Sequence, residues 1–401
     1  MPRMTANDAT ILTINSGSSS VKFSLYRMGA QQRRIFSGIL NRIGMSDSQF
    51  LSRDAAGASL VDQECVLGNH HDAFRVLLAW LAKQDAAMNP NGVGHRIVHG
   101  GVRYTEPARI EEPDLAALRE IIPLAPNHLP SEITAIEALR EQMPGVPQIG
   151  CFDTAFHAGL PPTARFFALP RELRERHVRR FGFHGLSYQF LVDELRRVGD
   201  AAIVDGRVIL AHLGNGASMA AVQAGRGVDT TMGLTPLGGF LMSQRPGDLD
   251  PGVILYLLNE CGLRLDELTE MLVHRSGLLG VSGLSSDMHD LLEREANHEG
   301  AAEAIAMFCY QVRKQIAAMA AAMGGLDTLV FTAGIGERSP VIRQRICDGL
   351  DFMGIRIDRK PNDANEPVIS TPDAPVTVRV MKTNEELTIA RQTAAFLQNR
   401  A

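Results

Sequence analysis

An α/β fold of two domains is predicted by three observations. Two short apolar hairpins with Gly/Ser-rich bends recur about 200 residues apart, strand-like runs alternate with helix-period segments, and 401 residues allow two separate cores. A repeated hairpin of this kind points to two copies of one domain facing each other across a nucleotide.

The first hairpin is Thr10 to Arg27, TILTINSGSSSVKFSLYR. Ile11, Leu12 and Ile14 form a buried-strand run, and Val21, Phe23 and Leu25 alternate with polar neighbours as a half-buried strand does. Small residues in the bend let N–H groups and the hydroxyls of Ser18 and Ser20 approach a polyanion. Lys22 shares the face of Ser20 and adds charge, and Asn15 offers an oxygen to a hydrated cation. No Walker A loop is present, and an ordinary edge hairpin is the bland alternative.

Composition excludes some classes of function. A formal net charge of -5 provides no general field for nucleic acid or an anionic membrane, so a phosphate site must be local. The five cysteines lack a C-x-x-C pair, which fits reduced thiols rather than zinc. MPRMTANDAT has no apolar leader core, and Ala301 to Met323 is interrupted by Glu303, Arg313 and Lys314; a soluble cytoplasmic protein is expected.

Further along, Ile35 to Leu40 reads as a strand and His71 to Gln84 as a helix. Val93 to Gly101 reads as a strand ending in Gly-Gly, which places Arg96 and His99 near a turn. A helix over Pro113 to Ile122 is expected to stop at PLAPNHLP, whose prolines should hold His128 in a rigid extended loop. Gln148 to Phe152 is a strand with Asp153 at its carboxyl end, where α/β sheets bind ligands. RRFGFHGLS sets His184 between glycines, with Tyr188 starting a helix. The second hairpin, Val208 to Val222, bends at Gly214-Asn215-Gly216. Asp229 to Pro251 has the Gly, Pro and Thr content of an ordered loop that either presents Arg245 or pairs it with Asp248 or Asp250. A helix with an Ile305, Phe308, Val312, Ile316, Met319 stripe ends at Gly324-Gly325 and leads into a strand at Thr328 to Thr332. That strand, a glycine turn at Ala333 to Arg338 and a helix starting at Ser339-Pro340 suit the adenosine end of a nucleotide. Thr383 and Glu386 have capping-box spacing, which leaves Glu385 to bind a ligand.

The runs TINSGSSSVKFSLY, GHRIVHGG, CFDTAFH, FGFHGLSY, HLGNGAS, RPGDLDP, FTAGIGER and TNEELTIAR stand in one order and spacing. In them the chain resembles the acetate kinases, within the acetate and sugar kinase, heat-shock chaperone and actin superfamily. The resemblance covers nearly the whole length. It implies two duplicated actin-like (ribonuclease H-like) domains, each a mixed β-sheet flanked by helices, with a nucleotide cleft between them, residues 1–152 with 384–401 and residues 153–383. It also implies a homodimer and reversible Mg²⁺-dependent phosphoryl transfer between ATP and acetate, giving acetyl phosphate and ADP, with Mn²⁺ an alternative metal. Asn15 and Glu385 would hold the metal, and Lys22, Ser18 and Ser20 the phosphates. Arg96 and Arg245 would clamp acetate and the moving phosphoryl group, with His128 and His184 donating to it and Val98, Phe183, Pro236 and Asn127 lining the substrate. Asp153 is the family's acid/base residue; acetate is already ionised at neutral pH, so positioning the arginines or hydrated metal is the role its chemistry favours. His212, Leu213, Gly214, Asn215 and Gly216, then Asp287, Met288 and His289, then Gly334, Ile335, Gly336, Glu337 and Arg338 match the nucleotide segments. Asn127 replaces an apolar leucine, Tyr188 a histidine and His289 an arginine of the family pattern, and MSQRPGDLDP departs from MGTRSGDLDP. Propionate kinase is the near alternative, a non-catalytic nucleotide-binding protein or a sugar kinase the distant ones.

Overall fold

A computed structural model describes residues 9–17, 19–84 and 89–399. Ser18 and residues 1–8, which include most of MPRMTANDAT, lie outside the described residues. The chain divides into two units, Met1–Phe156 with Asn384–Ala401, and His157–Thr383.

The first unit carries an eight-stranded sheet in the order β5-β4-β3-β2-β1-β6-β8-β7. Its strands are β1 (Ala9–Ser16), β2 (Ser20–Met28), β3 (Arg33–Asn41), β4 (Gln49–Asp54), β5 (Ser59–Glu64), β6 (Gly92–Ile97), β7 (Ala108–Arg109) and β8 (Gln148–Phe152). β1 pairs antiparallel with β2 in a register that sets Asn15 opposite Lys22, while β6 lies parallel to both β1 and β8. Alternation along β1 sends Leu12 and Ile14 into one core with Phe23, Phe36, Phe74 and Leu139, and Ile11 into another with Ala390 and Ala394. Helix His70–Leu81 begins at Asn69, whose side chain accepts the Asp72 N–H as an N-cap. The last helix, Glu385–Gln398, lies so close to β6 that a Cβ on Gly94 would sit 2.3 Å from Thr393 Oγ1. Glycine at this position makes the approach of helix to sheet possible.

The second unit repeats the pattern with five strands ordered β11-β10-β9-β12-β13. They are β9 (Arg207–Leu213), β10 (Ala217–Gln223), β11 (Arg226–Thr230), β12 (Thr328–Thr332) and β13 (Thr377–Val380). β9 and β10 form the second antiparallel hairpin, and β12 runs parallel to β9 and β13 as β6 runs parallel to β1 and β8. Two mixed sheets with this shared strand pattern, each flanked by helices, are the actin-like fold class. The Ile305, Phe308, Val312, Ile316, Met319 stripe is buried on helix Glu299–Met323, which ends at Gly324 with φ +71°. No helix among the described residues is long and apolar enough to cross a membrane.

Three local expectations are corrected. PLAPNHLP is not an extended loop: Ile122–Leu124 is a 3₁₀ turn, and His128 is the N-cap position of helix Leu129–Gln142, with Pro130 in the first turn, where its missing N–H costs nothing. Ala333–Arg338 is itself helical, so its glycines belong to a helix and not to a turn before one. Helix Glu385–Gln398 is capped by Asn384, whose Oδ1 accepts the Leu387 N–H at 3.0 Å, so the Thr383/Glu386 capping box does not form.

Candidate functional site

In the first unit the side chains gather around Arg96, near the carboxyl end of β6. Its Nη2 donates to Asp153 Oδ2 at 2.7 Å and its Nε to both Asp153 oxygens at 3.2 and 3.3 Å. β6 and β8 are parallel neighbours, so an arginine at one strand end meets an aspartate just past the other. Arg96 Nη1 donates to Asn15 Oδ1 at 3.2 Å and lies 3.6 Å from Glu385 Oε2, which also accepts from Asn15 Nδ2 at 3.2 Å. Burial alone would lower the guanidinium's pKa, but Asp153 and then Glu385 outweigh it and hold the group above the ordinary arginine range. Asp153 is fully buried.

A third carboxyl, Glu132, stands in the first turn of helix Leu129–Gln142. It is 1% exposed and accepts the Val98 N–H at 3.1 Å. Burial pushes it up to about 8, against the pull of Arg96 and the Val98 N–H, and the charge on Asp153 adds to the rise. Nothing local in the sequence marks this residue, since its partner Val98 stands 34 positions away. Burial and the charge of Glu385 also raise Glu386. Asn127 and His128 are half-buried, Val98 is buried, Ser20 is half-buried and Lys22 is exposed. Among the described residues no three His, Cys, Asp or Glu side chains are grouped to hold a metal. Asn15 and Glu385 are hydrogen-bonded neighbours through the Asn15 Nδ2, and each carries a hard oxygen of the kind taken by Mg²⁺, an ion that keeps several waters and uses few carboxylates.

In the second unit the loop after β11 is ordered by its own contacts. Asp248 Oδ1 accepts the Gly239 N–H at 2.8 Å, and the Ser243 N–H donates to the Asn215 carbonyl at 3.2 Å, tying the loop to the second hairpin. Gly247 has φ +79°, and a Cβ there would meet the Phe240 backbone at 2.5 Å. Asp250 caps helix Pro251–Asn259. With both aspartates so engaged, Arg245 is presented rather than paired. Its Nη1 donates to the Pro236 carbonyl at 2.6 Å, and among the described residues no carboxylate lies within ion-pair distance. Burial draws its pKa down to about 10, which leaves it charged at neutral pH.

His184, at φ +58°, immediately precedes helix Gly185–Arg197. A Cβ on Gly216 would lie 2.7 Å from Arg245 Nη2 and 3.4 Å from His184 Nε2, so both groups converge on the bend of the second hairpin. The His184 and His212 rings stack with centroids 4.1 Å apart. Phe183 is buried, and its carbonyl bonds His157 Nε2. Leu213 is buried, whereas Gly214 and Gly216 are half-buried and Asn215 is exposed. The Gly214–Gly216 bend lies beside Ala333, and Glu337 accepts the Ala333 N–H at 2.9 Å and the Thr383 N–H at 3.2 Å. Gly336 offers its carbonyl to the buried Arg343, Ile335 is half-buried, and Gly334 and Arg338 are exposed. Asp287 is the N-cap residue of the next helix. Its side chain accepts the His289 and Asp290 N–H groups at the start of helix Met288–Arg294, burying Met288 and leaving His289 exposed.

Comparison with known proteins gives this geometry its context. The family model described as the acetokinase family matches residues 10–391. A protein of Rhodopseudomonas palustris (strain ATCC BAA-98 / CGA009) named acetate kinase is 44% identical over 387 residues, 95% of this chain and 96% of that one. The crystal structure of Porphyromonas gingivalis acetate kinase superposes with TM-score 0.86 at 37% identity, over 97% of this chain and 100% of that one. A propionate kinase from Francisella tularensis superposes with TM-score 0.90 at 34% identity, over 96% and 99% of the two chains. The chain belongs to the acetokinase family.

Proposed function

We propose that this protein reversibly transfers the γ-phosphoryl group of ATP to acetate, with Mg²⁺, giving acetyl phosphate and ADP. Kinship with acetate kinases along nearly the whole chain supports the reaction class. The observation that carries the chemistry is Arg245, a cation without a carboxylate partner among the described residues, converging with His184 on Gly216. Charge held in this way suits an anion whose own charge spreads over equatorial oxygens in the transition state.

In this reading a carboxylate oxygen of acetate attacks the γ-phosphorus as the bond to the β–γ bridging oxygen breaks. No proton is transferred. Arg245, His184 and His128 donate to the phosphoryl oxygens. Arg96, held by Asp153, faces the acetate carboxylate, and Val98, Phe183, Pro236 and Asn127 wall its methyl group. Lys22, Ser18 and Ser20 bind phosphate, while His212–Gly216, Asp287–His289 and Gly334–Arg338 take the rest of the nucleotide. Asn15 and Glu385 would hold Mg²⁺, which when bound supplies positive charge to the phosphates. A homodimer is part of this reading: helix Pro251–Asn259 buries none of its side chains and exposes Val253, Leu255 and Tyr256, an apolar face that a second copy would cover. The cytoplasm is the proposed location.

The likeness to a propionate kinase favours a second reading, in which the longer acid is preferred. One panel tests both: acetate, propionate, butyrate and sugars with ATP and Mg²⁺, acyl phosphate being trapped with hydroxylamine. Acyl phosphate from no carboxylate would overturn the carboxylate-kinase reading. Within that panel, Asn127→Leu is expected to lower the KM for propionate more than that for acetate, because a buried methylene contributes roughly 0.8 kcal/mol. Unchanged KM values with a lower melting temperature would show that Asn127 faces away from the substrate.

A further inference from the structure

We propose that Tyr188, acting through Ser218, is a positioning residue that holds His184 in the tautomer with its proton on Nε2, the nitrogen on the Arg245 side of the ring. The inference rests on the phosphoryl-transfer reading for its consequence but not for its geometry. Ser218 Oγ lies 2.8 Å from His184 Nδ1 and 2.5 Å from Tyr188 Oη, and both hydroxyl-bearing residues are fully buried.

A serine hydroxyl has one proton to place between two partners. An imidazole nitrogen is the better acceptor, and a phenol is a good donor but a poor acceptor. Donation therefore runs from Tyr188 to Ser218 and from Ser218 to His184 Nδ1. A neutral ring that accepts at Nδ1 carries its proton at Nε2. That nitrogen is the one 3.4 Å from the Cβ position of Gly216, where Arg245 Nη2 also converges. Without the relay the ring could present a lone pair there and repel a phosphoryl oxygen.

The neighbouring pair is wired in the opposite sense. Ser187 donates to Thr383 Oγ1 at 2.9 Å, so its oxygen is left to accept from His212 Nδ1, also at 2.9 Å. Two imidazoles stacked at 10° thus hold opposite tautomers, and their stacking limits rotation of His184. His157 packs edge-on against Tyr188 and fixes the phenol. A tyrosine fits this task in a way that the histidine of the family pattern does not, since its single hydroxyl proton sets the direction of the chain.

The test uses the full-length protein with ¹⁵N-labelled histidine rings, and His184→Asn to assign the signals. The wild type is expected to show His184 Nδ1 unprotonated and Nε2 protonated. Tyr188→Phe and Ser218→Ala are each expected to mix the tautomers and to lower kcat roughly tenfold, as loss of about one hydrogen bond does, with the KM for ATP changed less than about twofold. Ser218→Ala keeps the test open if Tyr188→Phe does not fold. A wild-type His184 protonated on Nδ1, or unchanged tautomers in both variants, would overturn the proposal. An inactive wild type with the expected tautomers would leave the relay standing and remove only the phosphoryl-transfer reading.

Discussion

Arg245→Ala is expected to lower kcat for acyl phosphate formation by about 10²–10³-fold, the loss seen when one preorganised donor to a transition-state anion is removed. Affinity for ATP should fall less than turnover, because the charge faces the reacting groups. The reasoning starts from what Arg245 does not do. Its hydrogen-bond partner is the Pro236 carbonyl, and Asp248 and Asp250 are spent on the Gly239 N–H and a helix cap. Removing it breaks no ion pair among the described residues, so the fold should persist. Arg96→Ala should behave differently, since it strands the buried Asp153 and costs about 3–5 kcal/mol of stability along with activity. Turnover of Arg245→Ala near that of the wild type at saturating acetate would exclude the role given to it.

The second large effect concerns Glu132. Its carboxyl is raised from an ordinary 4.5 to about 8 in the folded protein, so the folded state holds a proton that the unfolded chain releases above pH 4.5. Stability from this group is therefore fully present below pH 4.5, falls as pH rises towards 8, and is level above that. The limiting slope is about 1.4 kcal/mol per pH unit. Glu132→Gln removes the titration and should be more stable than the wild type at pH 9, by on the order of 1–3 kcal/mol, with the two converging near pH 5. Parallel melting profiles from pH 5 to 9 would show Glu132 ionised throughout. The physical cause is burial together with an imbalance: Arg96 stands among Asp153, Glu385 and Glu132 but gives its carboxylate hydrogen bonds to Asp153, so the equally buried Glu132 keeps a proton.

Much of the fold was legible because its signals were local. Gln148 to Phe152 reads as a buried strand and is β8 to the residue, and the stripe on helix Glu299–Met323 faces the core as its period demands. The failures came where two acceptable local answers competed. Thr383 and Asn384 are both good N-caps; Asn384 wins while the Thr383 N–H is held by Glu337. Pro130 reads as a helix breaker yet opens a helix, because the rule depends on which turn it occupies. Within the candidate site, residue types announced Arg96, Asp153, His184 and Arg245. Glu132 and the Tyr188–Ser218 pair stayed hidden because their significance lies in partners 30 or more residues away, Val98 at 34 and Ser218 at 30.

The close seat of helix Glu385–Gln398 on β6 bears on how the protein is made. Asn15 and Glu385, 370 positions apart, meet in one unit. A nascent chain therefore carries β1 to β8 with the Gly94 face open while the 227 residues of His157–Thr383 are still being added. At about 5–20 residues per second that interval lasts roughly 10–50 s. The second unit is contiguous and can close in that time. The half that starts first is then finished last, and any release or cleavage before residue 384 leaves an apolar sheet face with nothing to cover it.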